Sequence, residues 1–352
     1  MNVLEPQRIY EIGISHGGNP DAIKAIMRIV HQYDPDGWVK LQHFVPKSLV
    51  TPTAGFPGRP SQIKTLTGMG LSRDDLLPLA KQSSLGFGVS VFSSEDAQFI
   101  SEQLINHVDF FKVASPDIVD DCMLETYLRN RDGQPLLVST GGASTKEIEH
   151  AARVMNQRRG DRNDCPDALL FCLAKYPAHV TDFDLSFYGV VQAVAMAYGL
   201  AIGFSDHSGK GPDQFKVCEE LTKRGAMYVE KHIELPMGHP LYFADNADSP
   251  TSIEATRSDI NKFVQTTSCR RLVPEHLRDR ANVVAYTRRY WTATTEIKKG
   301  DQMRPGVNIA LLRGNNKSHH GVGLIPAKYT LWAGIKSPHD ISAHTTLLAE
   351  WF

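Results

Sequence analysis

Eight short apolar runs recur along the first 232 residues, at 9–14, 38–44, 86–92, 110–114, 136–138, 168–172, 201–204 and 227–229, each separated from the next by enough chain for a helix. Buried parallel strands read as continuous apolar runs because helices cover both faces of the sheet or, in a closed barrel, because side chains fill the inside and helices the outside. Between the runs lie amphipathic stretches such as 21–30, with Ala22, Ile23, Ile26 and Val30 at helical spacing. Two others, 94–108 and 144–156, open with a hydroxyl residue followed by a polar or acidic first turn, as helices do. Eight β/α repeats in about 250 residues predict a (β/α)8 TIM barrel, an α/β fold, more than an open sheet.

The pattern changes after Pro250. A helical stretch at 252–267 leads to Arg270-Arg271-Leu272-Val273-Pro274, which reads as the exit from a catalytic domain spanning 1–269. From Arg270 to Arg289 six arginines face only Glu275 and Asp279, a net +4 that fits an anion patch or a solvated linker, here placed at 270–284. Residues 285–352 alternate in short segments broken by turns such as Lys298-Lys299-Gly300-Asp301, the texture of a small β-rich module.

Composition narrows the partner. Lys and Arg number 38 against 39 Asp and Glu, so no global field points to nucleic acid or an anionic membrane. The most apolar stretch, 190–204, is shorter than the ~20 residues a membrane span needs and runs into Ser205-Asp206-His207. The N-terminus carries no secretory pattern, and five scattered cysteines without a CxxC pair fit reduced thiols, so a cytoplasmic protein is expected.

Polar residues cluster within or just after the C-terminal ends of the apolar runs, where barrel enzymes build active sites. His207 and His232 end the seventh and eighth strands, neighbours in a barrel; they suit a divalent metal with open positions, or alternatively bond loop carbonyls. Lys40 and Lys112 point into the same mouth and serve either as an anion clamp or, one of them, as a Schiff-base nucleophile. Hydroxyls at Ser90, Ser115, Ser139 and Ser205 favour the clamp. Glu11 and Asp117 are carboxylates at strand ends, either acid/base groups or salt-bridge partners of the lysines. Gly209-Lys210-Gly211-Pro212-Asp213 is a weak anion-turn signal.

In order and spacing, Glu11-Ile12-Gly13-Ile14-Ser15-His16, Val39-Lys40-Leu41-Gln42, Lys112-Val113-Ala114-Ser115, Ser139-Thr140-Gly141, Tyr176-Pro177, Gly203-Phe204-Ser205-Asp206-His207 and Glu230-Lys231-His232 resemble the sialic acid synthase family. The C-terminal part resembles that family's antifreeze-like (SAF) domain. The resemblance implies condensation of phosphoenolpyruvate with an N-acetylated amino-sugar aldehyde, similar to N-acetylmannosamine, to give a nonulosonic acid and phosphate. It implies that Lys40, Ser90, Lys112, Ser115, Ser139 and Ser205 hold phosphoenolpyruvate, that His207 and His232 bind Mn²⁺ or Mg²⁺, and that Gln42 and Tyr176 face the sugar. Glu11 and Asp117 then occupy positions of active-site carboxylates, the family usually having Glu at the latter. Arg313 matches an arginine lent to a partner's site, so a domain-swapped homodimer is implied. Ala174 stands where the family commonly has Asn or Ser, and 241–245 where it carries an acidic motif, for which Asp245 is the available substitute. Two other readings stay open: a Schiff-base aldolase using Lys112 or Lys231, and a catalytically silent sugar-binding relative.

Overall fold

A computed structural model describes residues 5–45, 66–157, 166–268, 289–313, 332, 334–347 and 351. Its first part runs β1 (Gln7–Gly13), α1 (Pro20–Tyr33), β2 (Trp38–His43), α2 (Arg73–Gln82), β3 (Gly86–Val91), α3 (Ser94–Gln103), β4 (Phe110–Val113), α4 (Asp121–Asn130), β5 (Leu136–Ser139), α5 (Thr145–Asn156), β6 (Ala168–Cys172), α6 (Leu185–Ala197), β7 (Ala201–Asp206), α7 (Lys216–Lys223) and β8 (Tyr228–Glu234). Adjacent strands pair in sequence order, all parallel, and β1 pairs with β8, closing the barrel that the eight runs predict. Then come β9 (Ile253–Glu254) and α8 (Arg257–Thr267).

Local chemistry starts the helices where the sequence expects them. Asn19 accepts from the Asp21 amide ahead of Pro20, and α1 turns Ile23, Ile26, Met27 and Val30 inward. Ser144 and Glu147 form a reciprocal capping box on α5. Two expected helices are shorter. The 94–108 stretch gives α3 and then a tight turn at 105–107, and the helix expected at 252–267 begins at Arg257 because Ile253 and Glu254 extend the sheet beside Ile233 and Glu234. Thr256 then caps α8 by accepting from the Asp259 amide.

Inside the barrel, alternate residues of each strand form layers. The lowest is apolar: Ile9, Trp38, Phe110, Leu137, Leu170 and Tyr228, with Trp38 and Phe110 stacked at 4.8 Å. A Cβ on Gly88 would lie 2.4 Å from the Phe110 ring, so the small residue is what lets the aromatic cross the barrel. Above this layer the inward residues turn polar.

In the second part β10 (Arg289–Ala293) pairs antiparallel with β11 (Ile309–Arg313). Trp291, Ile297, Met303, Ile309, Leu311 and Trp332 form an apolar cluster there, separate from those of the barrel, with the two tryptophans edge to face at 5.5 Å. The linker expected at 270–284 lies outside the described residues.

Candidate active site

The polar layer is continuous across the strands. Lys40 on β2 places its Nζ 2.6 Å from Glu11 Oε2 on β1, 3.7 Å from Glu230 Oε2 on β8, and donates to Ser90 Oγ on β3 at 2.8 Å. Lys112 on β4 donates to Ser139 Oγ on β5 at 2.7 Å and to its neighbour Val113 O at 3.0 Å. Gln42 donates to Glu11 Oε1 at 2.7 Å, and Ser205 on β7 donates to Glu230 Oε1 at 2.6 Å. Ser115 accepts from the Gly141 amide at 3.0 Å, tying the loop after β4 to the loop after β5.

Both lysines and both glutamates are buried, so their charges are set by one another. Burial pushes the Glu11 carboxyl up to about 7, Glu230 adding to the effect while Lys40 and Gln42 oppose it. Burial would raise Glu230 as well, but Lys40 and Lys112 outweigh it and hold that carboxylate below its usual range. Lys112 is pulled down by burial and by Lys40 against the attraction of Glu230. Near neutral pH the cluster therefore holds an ionised Glu230, a charged Lys40 and a Glu11 that exchanges its proton.

His207 and His232 face each other beside this cluster, ring centroids 5.3 Å apart, with Tyr176 4.0 Å from the His207 ring. His207 Nδ1 donates to the Leu173 carbonyl at 2.7 Å, which leaves the Nε2 lone pair to accept a cation. Burial lowers the His207 pKa to about 4 despite that bond, and His232 is held well below its usual value by burial and then by His207, so both rings are neutral at pH 7. Asp248 Oδ2 stands 3.6 Å from His232 Nδ1. Gly13, in the left-handed region at φ +54°, makes room here: a Cβ would sit 3.2 Å from Glu11, 3.5 Å from His232 and 3.6 Å from Asp248. Two neutral imidazoles fit an open divalent site whose other positions go to water and substrate oxygens. Among the described residues no three His, Cys, Asp or Glu side chains gather into a closed metal cage.

The residues singled out in the sequence are placed as follows. Glu11, Lys40, Gln42, Ser90, Lys112, Ser139 and Ser205 share the cluster, and Tyr176, His207 and His232 form the aromatic group beside it. Ser115 holds the loop next to them. Asp117 follows β4 in a tight turn, fully buried, and its charge bears on the Tyr127 hydroxyl of α4, whose ring stacks on Phe111. The second carboxylate at the lysines is Glu230, 3.7 Å from Lys40, to which the sequence pattern assigns no role. Asp245 is exposed, and the carboxylate that reaches the histidines from that loop is Asp248. Lys231 points away from the mouth into an ion pair with Asp206. Lys210, in the glycine-rich turn, is held by Glu234 at 2.6 Å. Arg313 ends β11, and its side chain lies outside the described part of the structure.

Known proteins share this architecture. Over 99% of this chain and 96% of its own, a spore coat polysaccharide biosynthesis protein of Bacillus subtilis superposes with a TM-score of 0.76 at 22% identity. An N-acetylneuraminic acid synthetase of Leptospira borgpetersenii, solved with citrate, matches with a TM-score of 0.61 at 22% identity over 77% of this chain and 88% of its own. N,N'-diacetyllegionaminic acid synthase of Legionella pneumophila is 25% identical over 97% of this chain and 93% of its own. Residues 36–268, the part that carries the lysines, the histidines and Glu230, match the family model, and the chain belongs to the NeuB family.

Proposed function

We propose that the protein condenses phosphoenolpyruvate with an N-acylated amino-sugar aldehyde, giving a nonulosonic acid and phosphate. The observation that carries this reading is the convergence of Lys40, Lys112 and three serine hydroxyls with the His207–His232 pair in one barrel mouth. Lys40 and Lys112 balance the carboxylate and phosphate of the donor, Ser90 and Ser139 add hydroxyl donors, and Gln42, Tyr176 and Asp248 face the sugar. His207 and His232 would hold Mn²⁺ or Mg²⁺, which when bound supplies Lewis acidity toward the aldehyde oxygen.

In the reaction the methylene carbon of the donor bonds to the aldehyde carbon, water adds to the former enol carbon, and the tetrahedral intermediate collapses to the ketone as its carbon–oxygen bond to phosphate breaks, its hydroxyl proton leaving with the phosphate. Before that collapse one proton leaves the water and one is taken up by the new hydroxyl. Glu11, poised near 7, can accept the first and return the second, while Glu230 stabilises the positive charge that develops between the two steps. By the same family resemblance, Arg313 of a second copy would complete the sugar site in a domain-swapped homodimer.

The Legionella relative's name points to a diacetamido sugar, so the acceptor panel must include one beside N-acetylmannosamine. Turnover followed by ³¹P NMR, with and without Mn²⁺, tests the reading: phosphate should appear only with acceptor and should stop with a chelator. Acceptor-independent phosphate release would refute it. A Schiff-base aldolase has one observation in its favour, the lowered pKa of Lys112, and borohydride trapping with a keto acid separates it, since the condensation forms no covalent adduct.

A further inference from the structure

Behind the histidine pair, on the helix-facing side of β7 and β8, lies an ion pair without solvent access. Asp206 and Lys231 are partners in register, both 0% exposed, with Nζ 2.8 Å from Oδ2. Removing two charges from water costs about as much as their attraction returns, and an apolar pair of similar volume would serve the fold equally well. Three of their remaining hydrogen bonds converge on one residue, Ser208. Its amide donates to Asp206 Oδ1 at 2.8 Å, its hydroxyl donates to the same oxygen at 2.6 Å, and its carbonyl accepts from Lys231 Nζ at 2.9 Å. The Cys218 thiol on α7 takes up Oδ2 at 3.1 Å.

Ser208 directly follows His207, and Lys231 directly precedes His232. The turn they fix is tied further by Ala178, whose amide donates to His207 O at 2.8 Å and whose carbonyl accepts from the Gly209 amide at 3.0 Å. We propose that the Asp206–Lys231 pair is a positioning device: by gripping Ser208 at three points it fixes the backbone of His207 against that of His232, so that the two imidazoles keep the spacing and the tautomer a cation needs. The role as cation ligands rests on the function proposed above; the fixed geometry does not.

The test uses the full chain with ¹⁵N-labelled histidine and the double variant Asp206→Leu/Lys231→Met. The parent should show His207 as a single neutral tautomer with Nδ1 protonated, its signal assigned by loss in His207→Gln. The double variant should melt cooperatively near the parent's temperature, show an averaged His207 tautomer, and bind Mn²⁺, counted by the EPR signal of the free ion, weaker by on the order of 10–100-fold. Metal-free binding of phosphoenolpyruvate should hold, because Lys40 and Lys112 are untouched. A folded double variant with the parent's tautomer and the parent's Mn²⁺ affinity overturns the proposal. If the double variant does not fold, Ser208→Ala and Ser208→Thr decide: loss with Ala and retention with Thr support the grip, and identical behaviour overturns it. Should the parent bind no Mn²⁺, the metal role falls and the tautomer readout alone decides the positioning.

Discussion

The two ends of the barrel interior are built on opposite terms. At the floor, Trp38, Phe110, Leu137 and Leu170 pack together, and the Tyr228 hydroxyl donates to Pro166 O at 2.9 Å. At the mouth, Lys40, Lys112, Glu11, Glu230, His207 and His232 are each no more than 5% exposed. Burying apolar surface stabilises by roughly 25 cal/mol per Å², whereas a buried ion pair returns little beyond its desolvation cost. The floor therefore holds the fold and the mouth holds the chemistry, and substitutions at the two ends should separate stability from turnover.

The largest effect is expected at the floor. Phe110→Ala removes the ring that Trp38 stacks on and leaves a void beside Gly88, so urea unfolding should show a loss of about 3–5 kcal/mol. Below its melting transition the variant should keep the parent's KM for donor. Lys112→Met is the mirror case at the mouth. Loss of one ammonium that balances developing charge should cost about 10²–10³-fold in kcat/KM, as removal of one oxyanion-type donor does. Its melting temperature should change little, since burial already disfavours the Lys112 charge and Glu230 keeps its ion pair with Lys40. A Lys112→Met variant that unfolds, or a Phe110→Ala variant that stays stable but inactive, would break the contrast.

The same division explains how much the sequence disclosed. The floor and the outer layer were legible because continuous apolar runs mark buried parallel strands, and all eight strands lie where those runs predict. The mouth was less so. The eighth run ends at Val229, yet β8 continues to Glu234, because Glu230 and His232 face inward and Lys231 outward, and no apolar periodicity reports a strand whose two faces are both polar. Glu230 therefore carries no site signal in the apolar pattern, although it stands in the Glu230-Lys231-His232 motif. Asp248 was missed because loop register cannot be counted from strand spacing: Asn246 and Ser249 both bond Glu234, folding the loop back so that Asp248, and not Asp245, meets His232.

Acid should loosen the mouth before the floor. His16, in the loop after β1, accepts from the Gly18 amide at 2.9 Å, and burial lowers its pKa to about 4. The unfolded chain binds a proton below about 6.5 that the fold refuses, so the stability from neutral His16 is present above that pH and drains away as pH falls toward 4. The shift amounts to about 3 kcal/mol at most. Hydrogen exchange should show protection at residues 15–18 falling between pH 6.5 and 4 while 87–89 on β3 stay protected. Equal loss at both places would mean that the two ends open together.

The smallest effect tests whether the outer wall belongs to the floor's account or to the mouth's. Ser144 is exposed, accepts from the Glu147 amide and opens α5, five residues beyond Ser139. Ser144→Ala should cost about 1 kcal/mol, the usual value of a helix N-cap. Turnover should not change, because Ser139 and Gly141 are anchored to Lys112 and Ser115 and need nothing from the cap. If kcat falls with stability, the loop after β5 is held by its helix and not by the cluster, and the mouth is less independent of the wall than its hydrogen bonds indicate.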